Sequence, residues 1–221
     1  MNDAATVAEQ LGAVEARIAV TGGHDVQIVA VTKGFGPEVV DVAAEAGCGA
    51  IGENYAQELL AKQPAIERHP GLDVHFIGQL QTNKVRQLAG LVALYESVDR
   101  AKLVREIAKR DPGAAVLLQV DTSSLSGLEQ STKGGCPIAE LDQLVADARA
   151  AGLDLRGLMT VGPTEGGARA ARRGFDAVRS AVDRHGLTVC SMGMSADLEV
   201  AVECGSTEVR IGTALFGPRP S

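Results

Sequence analysis

The chain has 221 residues, of which 45% are hydrophobic and 22% are charged, and its formal net charge at pH 7 is −7. This size and apolar content are sufficient for a substantial buried core. The negative charge argues against a nucleic acid or an anionic membrane as the main partner, because phosphate groups attract clustered lysines and arginines.

The four cysteines are dispersed along the chain without zinc-ligand spacing, so we predict reduced thiols and no metal site. They are Cys48, Cys136, Cys190 and Cys204. No segment has the length of a membrane-spanning helix or the pattern of a secretory signal. We therefore expect a cytoplasmic protein with no membrane partner.

Short apolar runs alternate with helical patterns along the whole chain. Residues 4–20 carry apolar side chains at three- and four-residue steps, which predicts an amphipathic helix ahead of the main pattern. Eight strands are then predicted, at residues 26–31, 48–52, 73–78, 91–98, 114–120, 155–161, 187–192 and 207–211. Helices are predicted between them, at residues 39–46, 54–66, 83–89, 100–109, 137–151, 168–184 and 196–204.

This order of elements predicts an α/β fold with a parallel sheet, because the strands are apolar on both faces and helices separate them. Eight such units indicate a (β/α)8 TIM barrel with an extra N-terminal helix. The alternative is an open doubly wound sheet, although neither G-x-G-x-x-G nor a P-loop follows the first strand. We see no linker, so residues 1–221 are expected to form a single domain.

The loops after the seventh and eighth predicted strands have the composition of a phosphate site. Glycines let the backbone approach an anion closely, and hydroxyl groups can donate hydrogen bonds to it. The candidate residues are Ser191, Gly193, Ser195, Gly212 and Thr213. Ser195 is also placed to cap the helix that follows. Ordinary turn chemistry explains either loop alone, whereas the two together favour anion binding.

Lys33 ends the first predicted strand, where a lysine ordinarily extends to solvent. A phosphate site at the same end of the barrel makes it a candidate for a Schiff base, provided that desolvation or a cation such as Arg210 lowers its pKa. Pyridoxal phosphate is a phosphorylated aldehyde of the required kind, and Arg210 could donate to its pyridine nitrogen. The alternative for Arg210 is an ion pair with Glu208 or another carboxylate.

Six segments resemble the pyridoxal-phosphate homeostasis proteins, which are similar to the N-terminal barrel of alanine racemase, a fold-type III pyridoxal-phosphate protein. They are residues 30–33, 51–58, 75–84, 157–160, 191–195 and 210–217. The resemblance covers nearly the whole chain and implies a complete cofactor site. The implied roles are Lys33 for the Schiff base, Ser191, Gly212 and Thr213 for the phosphate, Arg210 for the pyridine nitrogen, and Asn54 and Met159 beside the ring.

The loop after the fifth predicted strand departs from the family pattern. The family commonly has a compact Asn-Thr-Ser-Gly-Glu-x-x-Lys-x-Gly sequence, whereas residues 121–135 form a longer segment that begins with Asp121. A lid role for Ser123 to Cys136 therefore does not carry over, and the alternative is a surface loop.

The resemblance leaves open whether the chain is an enzyme. In the racemases, a tyrosine from a second domain supplies the second acid–base group, and this chain ends at Ser221. We expect Tyr55 and Tyr95 to pack, His75 to be a hydrogen-bonded core residue, and Glu53 to compensate the charge of a helix N-terminus. No catalytic residue is therefore assigned.

Our hypothesis is a monomeric carrier that stores, buffers or delivers pyridoxal phosphate, with apo-enzymes that depend on this cofactor as partners. One alternative is an amino-acid racemase that uses Lys33 with water or Tyr55. Another is a class I aldolase that acts on a phosphorylated sugar through Lys33.

Overall fold

Eight parallel strands close into a barrel in the computed structural model, which describes residues 1–126, 134–163 and 167–219. The strands within these residues are β1 Gln27–Val31, β2 Ala50–Glu53, β3 Asp73–Phe76, β4 Leu94–Val98, β5 Ala115–Asp121, β6 Cys136–Pro137, β7 Asp154–Met159, β8 Val189–Ser191 and β9 Glu208–Ile211. The two-residue β6 pairs only with the end of β5 and lies outside the barrel.

The pairing of the strands closes the sheet on itself. Neighbours run in the order β1, β2, β3, β4, β5, β7, β8 and β9, and β9 pairs again with β1. Val29 of β1, for example, lies opposite Ala50 of β2 and Arg210 of β9. This closure confirms the prediction of a TIM barrel. The alternative, an open doubly wound sheet, was wrong. All eight predicted strands are present.

Helices cover the outside of the barrel. Their bounds are α1 Ala4–Val20, α2 Glu38–Glu45, α3 Ala56–Ile66, α4 Val85–Leu88, α5 Ala101–Arg110, α6 Ser123–Ser126, α7 Leu141–Ala150, α8 Gly167–Arg184, α9 Leu198–Glu203 and α10 Thr213–Phe216. Single 3-10 turns, Thr82–Lys84 and Ile138–Glu140, precede α4 and α7. The short elements α6, β6 and α10 were not predicted, because too few residues carry their pattern.

The extra N-terminal helix is confirmed as α1. Its N-cap Asp3 accepts a hydrogen bond from the Thr6 backbone N–H at 2.9 Å, which satisfies one of the unpaired donors of the first turn. Val7, Val14 and Ile18 form its buried face. The helix packs against α2, α9 and α10, so it contacts both the first and the last β/α units of the barrel.

Side chains alternate between the helix layer and the barrel interior along each strand. In β9, Val209 and Ile211 join the main apolar core under the helices. The residues between them, Glu208 and Arg210, therefore point into the barrel. The interior also holds a small apolar cluster of Leu94, Ala115, Leu117 and Met159. Polar and charged side chains are thus buried inside the barrel.

The remaining general predictions concern the cysteines and the membrane. All four cysteines are free and buried, which confirms the prediction of unpaired thiols. None of the described helices combines the length and the apolar character that crossing a bilayer requires. Much of the segment Ser123 to Cys136, for which a lid was considered, lies outside the described residues.

Candidate functional site

A cavity of about 960 Å³ opens where the barrel strands end at their C-termini. Loops after β1, β2, β3, β7, β8 and β9 contribute to its wall. Among the predicted cofactor residues, those in the wall are Lys33, Asn54, Ser195, Arg210, Gly212 and Thr213. The others, Met159, Ser191 and Gly193, are buried outside the lining. The structure therefore brings together residues that are up to 180 positions apart in sequence.

Lys33 lies half-buried in this cavity, immediately after β1. Burial lowers the pKa of its amine, and the positive charges of Arg219 and Arg210 lower it further, against the opposing effect of Glu53 and Glu58. A lowered pKa increases the fraction of neutral amine, which is the nucleophilic form. Desolvation and nearby cations thus lower the pKa of Lys33, as a Schiff-base lysine requires.

A hydrogen bond to helix α3 stabilises the turn after Lys33. Gly34 has φ +78°, a conformation that glycine adopts without strain. Its N–H donates to Glu58 Oε2 of α3 at 2.7 Å. Arg219 also packs against Gly34 and contributes to the cavity wall. Arg219 was missed because it lies 186 residues from Lys33 and belongs to no recognised motif.

A buried ion pair lies behind the end of β1. Glu53 and Lys62 are 0% and 1% exposed, and Lys62 Nζ donates to Glu53 Oε1 at 2.5 Å and to the Thr32 carbonyl at 2.8 Å. The Thr32 hydroxyl donates to the same carboxylate oxygen at 2.5 Å. Burial raises the pKa of Glu53, although Lys62 and Thr32 partly offset this effect.

The helix-terminus explanation of Glu53 was therefore wrong. A signal for the buried pair was present in the sequence of α3, because Lys62 occurs within an apolar stripe at three-residue spacing. The other buried residues of that helix are Ala56, Leu59, Ala65 and Ile66. A lysine in such a stripe needs a buried counter-charge. The pair fixes Thr32, the residue before Lys33.

Arg210 lies in the floor of the cavity and is only 4% exposed. Its Nη2 donates to the Thr160 carbonyl at 2.7 Å, and its Nη1 donates to Ser191 Oγ. Its backbone N–H donates to the Gly193 carbonyl at 3.0 Å. Among the described residues, Glu96 is the carboxylate within ion-pair distance, at 3.8 Å from Nη1, and the charge of Arg210 also acts on Glu208, the partner that the sequence suggested by name.

Ser191 belongs to the support of Arg210 rather than to the cavity wall. Its hydroxyl accepts from Arg210 and donates to Glu96 Oε2 at 2.7 Å. In this arrangement the hydroxyl is unavailable to a phosphate. Met159 lies in the apolar interior cluster with Leu94, again outside the cavity wall. Strand alternation turns both side chains into the barrel.

The glycines of these two loops, which we expected to let the backbone approach an anion, pack closely against other parts of the protein. Gly193 has φ +101°, and a Cβ there would lie 2.5 Å from the Cβ of Ala201. A Cβ on Gly212 would lie 3.3 Å from Val31, so the loop after β9 packs tightly against β1. Gly212 leads into Thr213 and α10, whose first N–H groups have no intrahelical acceptor.

The prediction that Ser195 caps the following helix was wrong. Helix α9 begins at Leu198, and Asp197 occupies the N-cap position. The Asp197 carboxylate instead accepts from the Met194 backbone N–H at 2.6 Å, which closes the loop. The Ser195 side chain is thereby left in the cavity wall.

Asn54 and Tyr55 form the part of the wall that follows β2. Asn54 Oδ1 is buried and has no hydrogen-bond partner among the described residues. Gly78 allows the Asn54 backbone to pack closely, because a Cβ at that position would lie 2.0 Å from the Asn54 carbonyl oxygen. Tyr55 is 59% exposed, so the prediction that it packs was wrong. Tyr95 and His75 are buried and hydrogen-bonded, as predicted.

The cavity therefore combines an amine with a lowered pKa, a buried guanidinium, an amide oxygen without a partner among the described residues, and two loops with hydroxyl and backbone donors. This set can hold a phosphorylated carbonyl compound that carries a ring acceptor. The barrel and its cavity are typical of the class of proteins built on the N-terminal barrel of alanine racemase. The chain matches the family model described as alanine racemase, N-terminal domain, over residues 6–220.

Curated relatives of the chain cover nearly its whole length. A pyridoxal phosphate homeostasis protein of Pseudomonas aeruginosa is 40% identical, over 97% of this chain and 96% of the relative. The protein of the same name from Escherichia coli is 35% identical, over 89% and 87% of the two chains. The chain therefore belongs to the family of pyridoxal phosphate homeostasis proteins.

Solved structures agree with this assignment. PipY of Synechococcus elongatus, solved with pyridoxal phosphate bound, is 30% identical and covers 96% of this chain and 100% of its own, with a TM-score of 0.78. An alanine racemase of Clostridium difficile shares the fold, with a TM-score of 0.71 and 17% identity, over 96% of this chain and 57% of the racemase.

Proposed function

We propose that this chain binds pyridoxal phosphate in the cavity, through a Schiff base on Lys33, and acts in the homeostasis of this cofactor. The observation that carries the proposal is the half-buried Lys33 with its lowered pKa, in one cavity with the buried Arg210. The names of the curated relatives and the PipY structure with pyridoxal phosphate bound support it.

The residues of the cavity fit the chemical groups of this cofactor. When bound, pyridoxal phosphate supplies an aldehyde that condenses with an amine. Lys33 is the amine, and the guanidinium of Arg210 is a permanently protonated donor for the pyridine nitrogen. Asn54, whose amide oxygen has no partner in the described part of the chain, would lie beside the ring.

The phosphate is assigned to the loops after β8 and β9. Ser195, Gly212 and Thr213 line the cavity there and supply hydroxyl and backbone N–H donors. The hydroxyl of Ser191 is left out of this assignment because Arg210 and Glu96 already occupy it.

The homeostasis role consists of storage, buffering or delivery of the cofactor to apo-enzymes that need it. We further propose that the chain acts as a monomer in the cytoplasm. The reduced state of its four cysteines, all of them free thiols, fits a reducing compartment.

An absorbance experiment tests the binding site. Purified protein mixed with pyridoxal phosphate is expected to develop a visible absorbance band, and Lys33→Ala is expected to remove it. Lys84→Ala is the matched control, because Lys84 lines the same cavity and is not assigned to the Schiff base. An unchanged band in Lys33→Ala would contradict the assignment.

A transfer experiment tests the homeostasis role. Protein loaded with pyridoxal phosphate is mixed with an apo-enzyme that requires the cofactor, and recovery of enzyme activity is compared with recovery in an equal concentration of free cofactor. Faster recovery from the loaded protein is expected for delivery. Recovery limited by the rate of release into solution would restrict the role to storage and buffering.

Racemisation is a second candidate function, and the exposure of Tyr55 favours it. Tyr55 is 59% exposed in the cavity wall, where a phenol could exchange a proton with a bound amino acid while Lys33 serves the other face. Solvent deuterium should then enter the Cα of added amino acids at a rate that falls in Tyr55→Phe. Equal rates in the two proteins would exclude this role for Tyr55.

A further inference from the structure

A cluster of buried ionisable side chains lies inside the barrel, below Arg210. His75, Glu96 and Glu208 have potential ligand atoms within 4.8 Å of one another, and each is at most 3% exposed. The proposed binding role uses none of the three. Buried charges are costly unless they are paired and hydrogen-bonded, so their arrangement requires a physical account.

Hydrogen bonds connect this cluster to the cavity floor. Arg210 Nη1 donates to Ser191 Oγ, and Ser191 Oγ donates to Glu96 Oε2 at 2.7 Å. The other oxygen of that carboxylate, Glu96 Oε1, lies 2.8 Å from His75 Nδ1. An ionised carboxylate only accepts hydrogen bonds, so His75 is the donor. Each of the two carboxylate oxygens of Glu96 thus accepts a hydrogen bond.

The charges around Glu96 are compatible with this arrangement. Burial raises the pKa of Glu96, but the hydrogen bond from His75 and the charges of His75 and Arg210 outweigh burial and hold the pKa below its usual value. Burial and the neighbouring Glu96 together raise the pKa of Glu208 to about 8. Glu96 is therefore the ionised member of the pair, and Arg210 and His75 are its counter-charges.

We propose that Glu96 is a positioning residue that holds the Arg210 guanidinium in the cavity floor through Ser191. The proposal rests on the proposed function, in which Arg210 donates to the pyridine nitrogen of pyridoxal phosphate. Without Glu96, the guanidinium keeps the Thr160 carbonyl, at 2.7 Å, and the Ser191 hydroxyl as acceptors, but it loses the carboxylate 3.8 Å from Nη1 and the acceptor that orients the Ser191 hydroxyl. A buried cation without its counter-charge moves toward water.

A metal ion is the competing account of the cluster, since one histidine and two carboxylates are a common ligand set. A divalent cation there would compete with His75 for the same carboxylate. It would also lie close to a guanidinium whose Nη1 is 3.8 Å from Glu96. Metal analysis of the purified protein separates the accounts, and a stoichiometric ion lost in His75→Gln would overturn the positioning role.

The first test uses protein without cofactor. Crystal structures of the wild type and Glu96→Gln are compared at Arg210, and the guanidinium is expected to leave the Thr160 carbonyl in the variant. An unmoved guanidinium would overturn the proposal. Ser191→Ala serves as a second variant if Glu96→Gln does not fold, because it removes the intermediate hydroxyl and keeps the carboxylate.

The second test measures the cofactor directly. Pyridoxal phosphate labelled with nitrogen-15 in its ring is bound to each protein, and its nitrogen chemical shift is followed against pH. We expect a changed nitrogen chemical shift in Glu96→Gln. We also expect a dissociation constant about tenfold higher, which corresponds to weakening of the one hydrogen bond between Arg210 and the pyridine nitrogen. Glu96→Asp, which keeps the charge, should recover part of the change.

The two tests separate the inference from the proposed function. Exposed Glu9→Gln is the control for the nitrogen-15 experiment and should behave as the wild type. A wild-type shift in Glu96→Gln would overturn the positioning role and leave the Lys33 site standing. Failure of the wild type to bind pyridoxal phosphate would refute the proposed function, and the crystal structures alone would then decide whether Glu96 positions Arg210.

Discussion

Replacing Lys62 by methionine should destabilise the barrel in a way that depends on pH. Methionine keeps the length of the aliphatic chain and removes the charge, so Glu53 loses its buried counter-ion. Breaking a buried pair by removing one partner costs about 3–5 kcal/mol. For a protein of this size, about 1 kcal/mol shifts Tm by about 2–4 °C, so Tm should fall by about 6–20 °C.

The sign of the pH dependence follows from Glu53. Burial already raises its pKa in the folded protein, and the loss of Lys62 raises this pKa further. A carboxyl whose folded pKa is raised stabilises the protein fully below its unfolded pKa, at about 4.3, and this contribution is lost as pH rises through the folded value. The deficit of Lys62→Met relative to the wild type should therefore be smaller at pH 5 than at pH 8.

Urea unfolding of both proteins at the two pH values measures this difference. The double variant Lys62→Met/Glu53→Gln is the matched control, because it removes the unpaired charge and should recover most of the lost free energy of unfolding at pH 8. A loss below about 1 kcal/mol, or an equal loss at both pH values, would refute the reasoning, since such small values are typical of exposed pairs.

Two further variants test the cavity wall. Burial lowers the pKa of Lys33 most and the charge of Arg219 lowers it next, so Arg219→Gln should raise this pKa. The pH profile of the rate of Schiff-base formation with pyridoxal phosphate should then shift to higher pH. Stopped-flow absorbance measures this rate, and an unchanged pH profile would contradict the prediction. Gly78→Ala should lower Tm by about 2–12 °C, as overpacking by about 1–3 kcal/mol against the Asn54 carbonyl predicts, whereas Gly71→Ala, which has open space around its Cβ, should not.

The barrel itself was predictable from the sequence because its strands are buried on both faces. Each strand then reads as an apolar run of about the length of a strand, and the helices between them carry the longer period. The short elements were missed for the opposite reason. Cys136–Pro137 and Thr213–Phe216 are too short for any period to be visible.

The place of a candidate residue in the cavity was most predictable where it lies at or just after the end of a strand. Lys33, Asn54 and Arg210 follow or end strands, so their place at the barrel end was fixed by the fold. Ser191 was assigned to the phosphate because its hydroxyl stands at the end of the seventh predicted strand and because the family resemblance implies this role. Strand alternation distinguishes Ser191 from Ser195, since Ser191 is the last residue of β8 and turns inward, whereas Ser195 lies in the loop.

The partners inside the barrel could not be predicted, because closure brings together residues that are distant in sequence. Ser191 and Glu96 are 95 positions apart and come from strands that are not neighbours in the sheet. The sequence shows only that Glu96 and Glu208 occur within strands predicted to be buried. Such positions indicate buried pairs without naming the partner.

Among the described residues, two groups of buried charges lie inside the barrel, and each contacts or adjoins one cation of the cavity. Glu53 and Lys62 hold the backbone of Thr32 next to Lys33, while Glu96 and Ser191 contact Arg210. Apolar residues of similar volume would serve stability at least as well, because desolvation offsets most of the gain of a buried ion pair. What the charged groups add is direction, since hydrogen bonds fix the orientation of a side chain and apolar contacts do not. Replacing either group by apolar residues should therefore leave a folded barrel that holds pyridoxal phosphate less firmly.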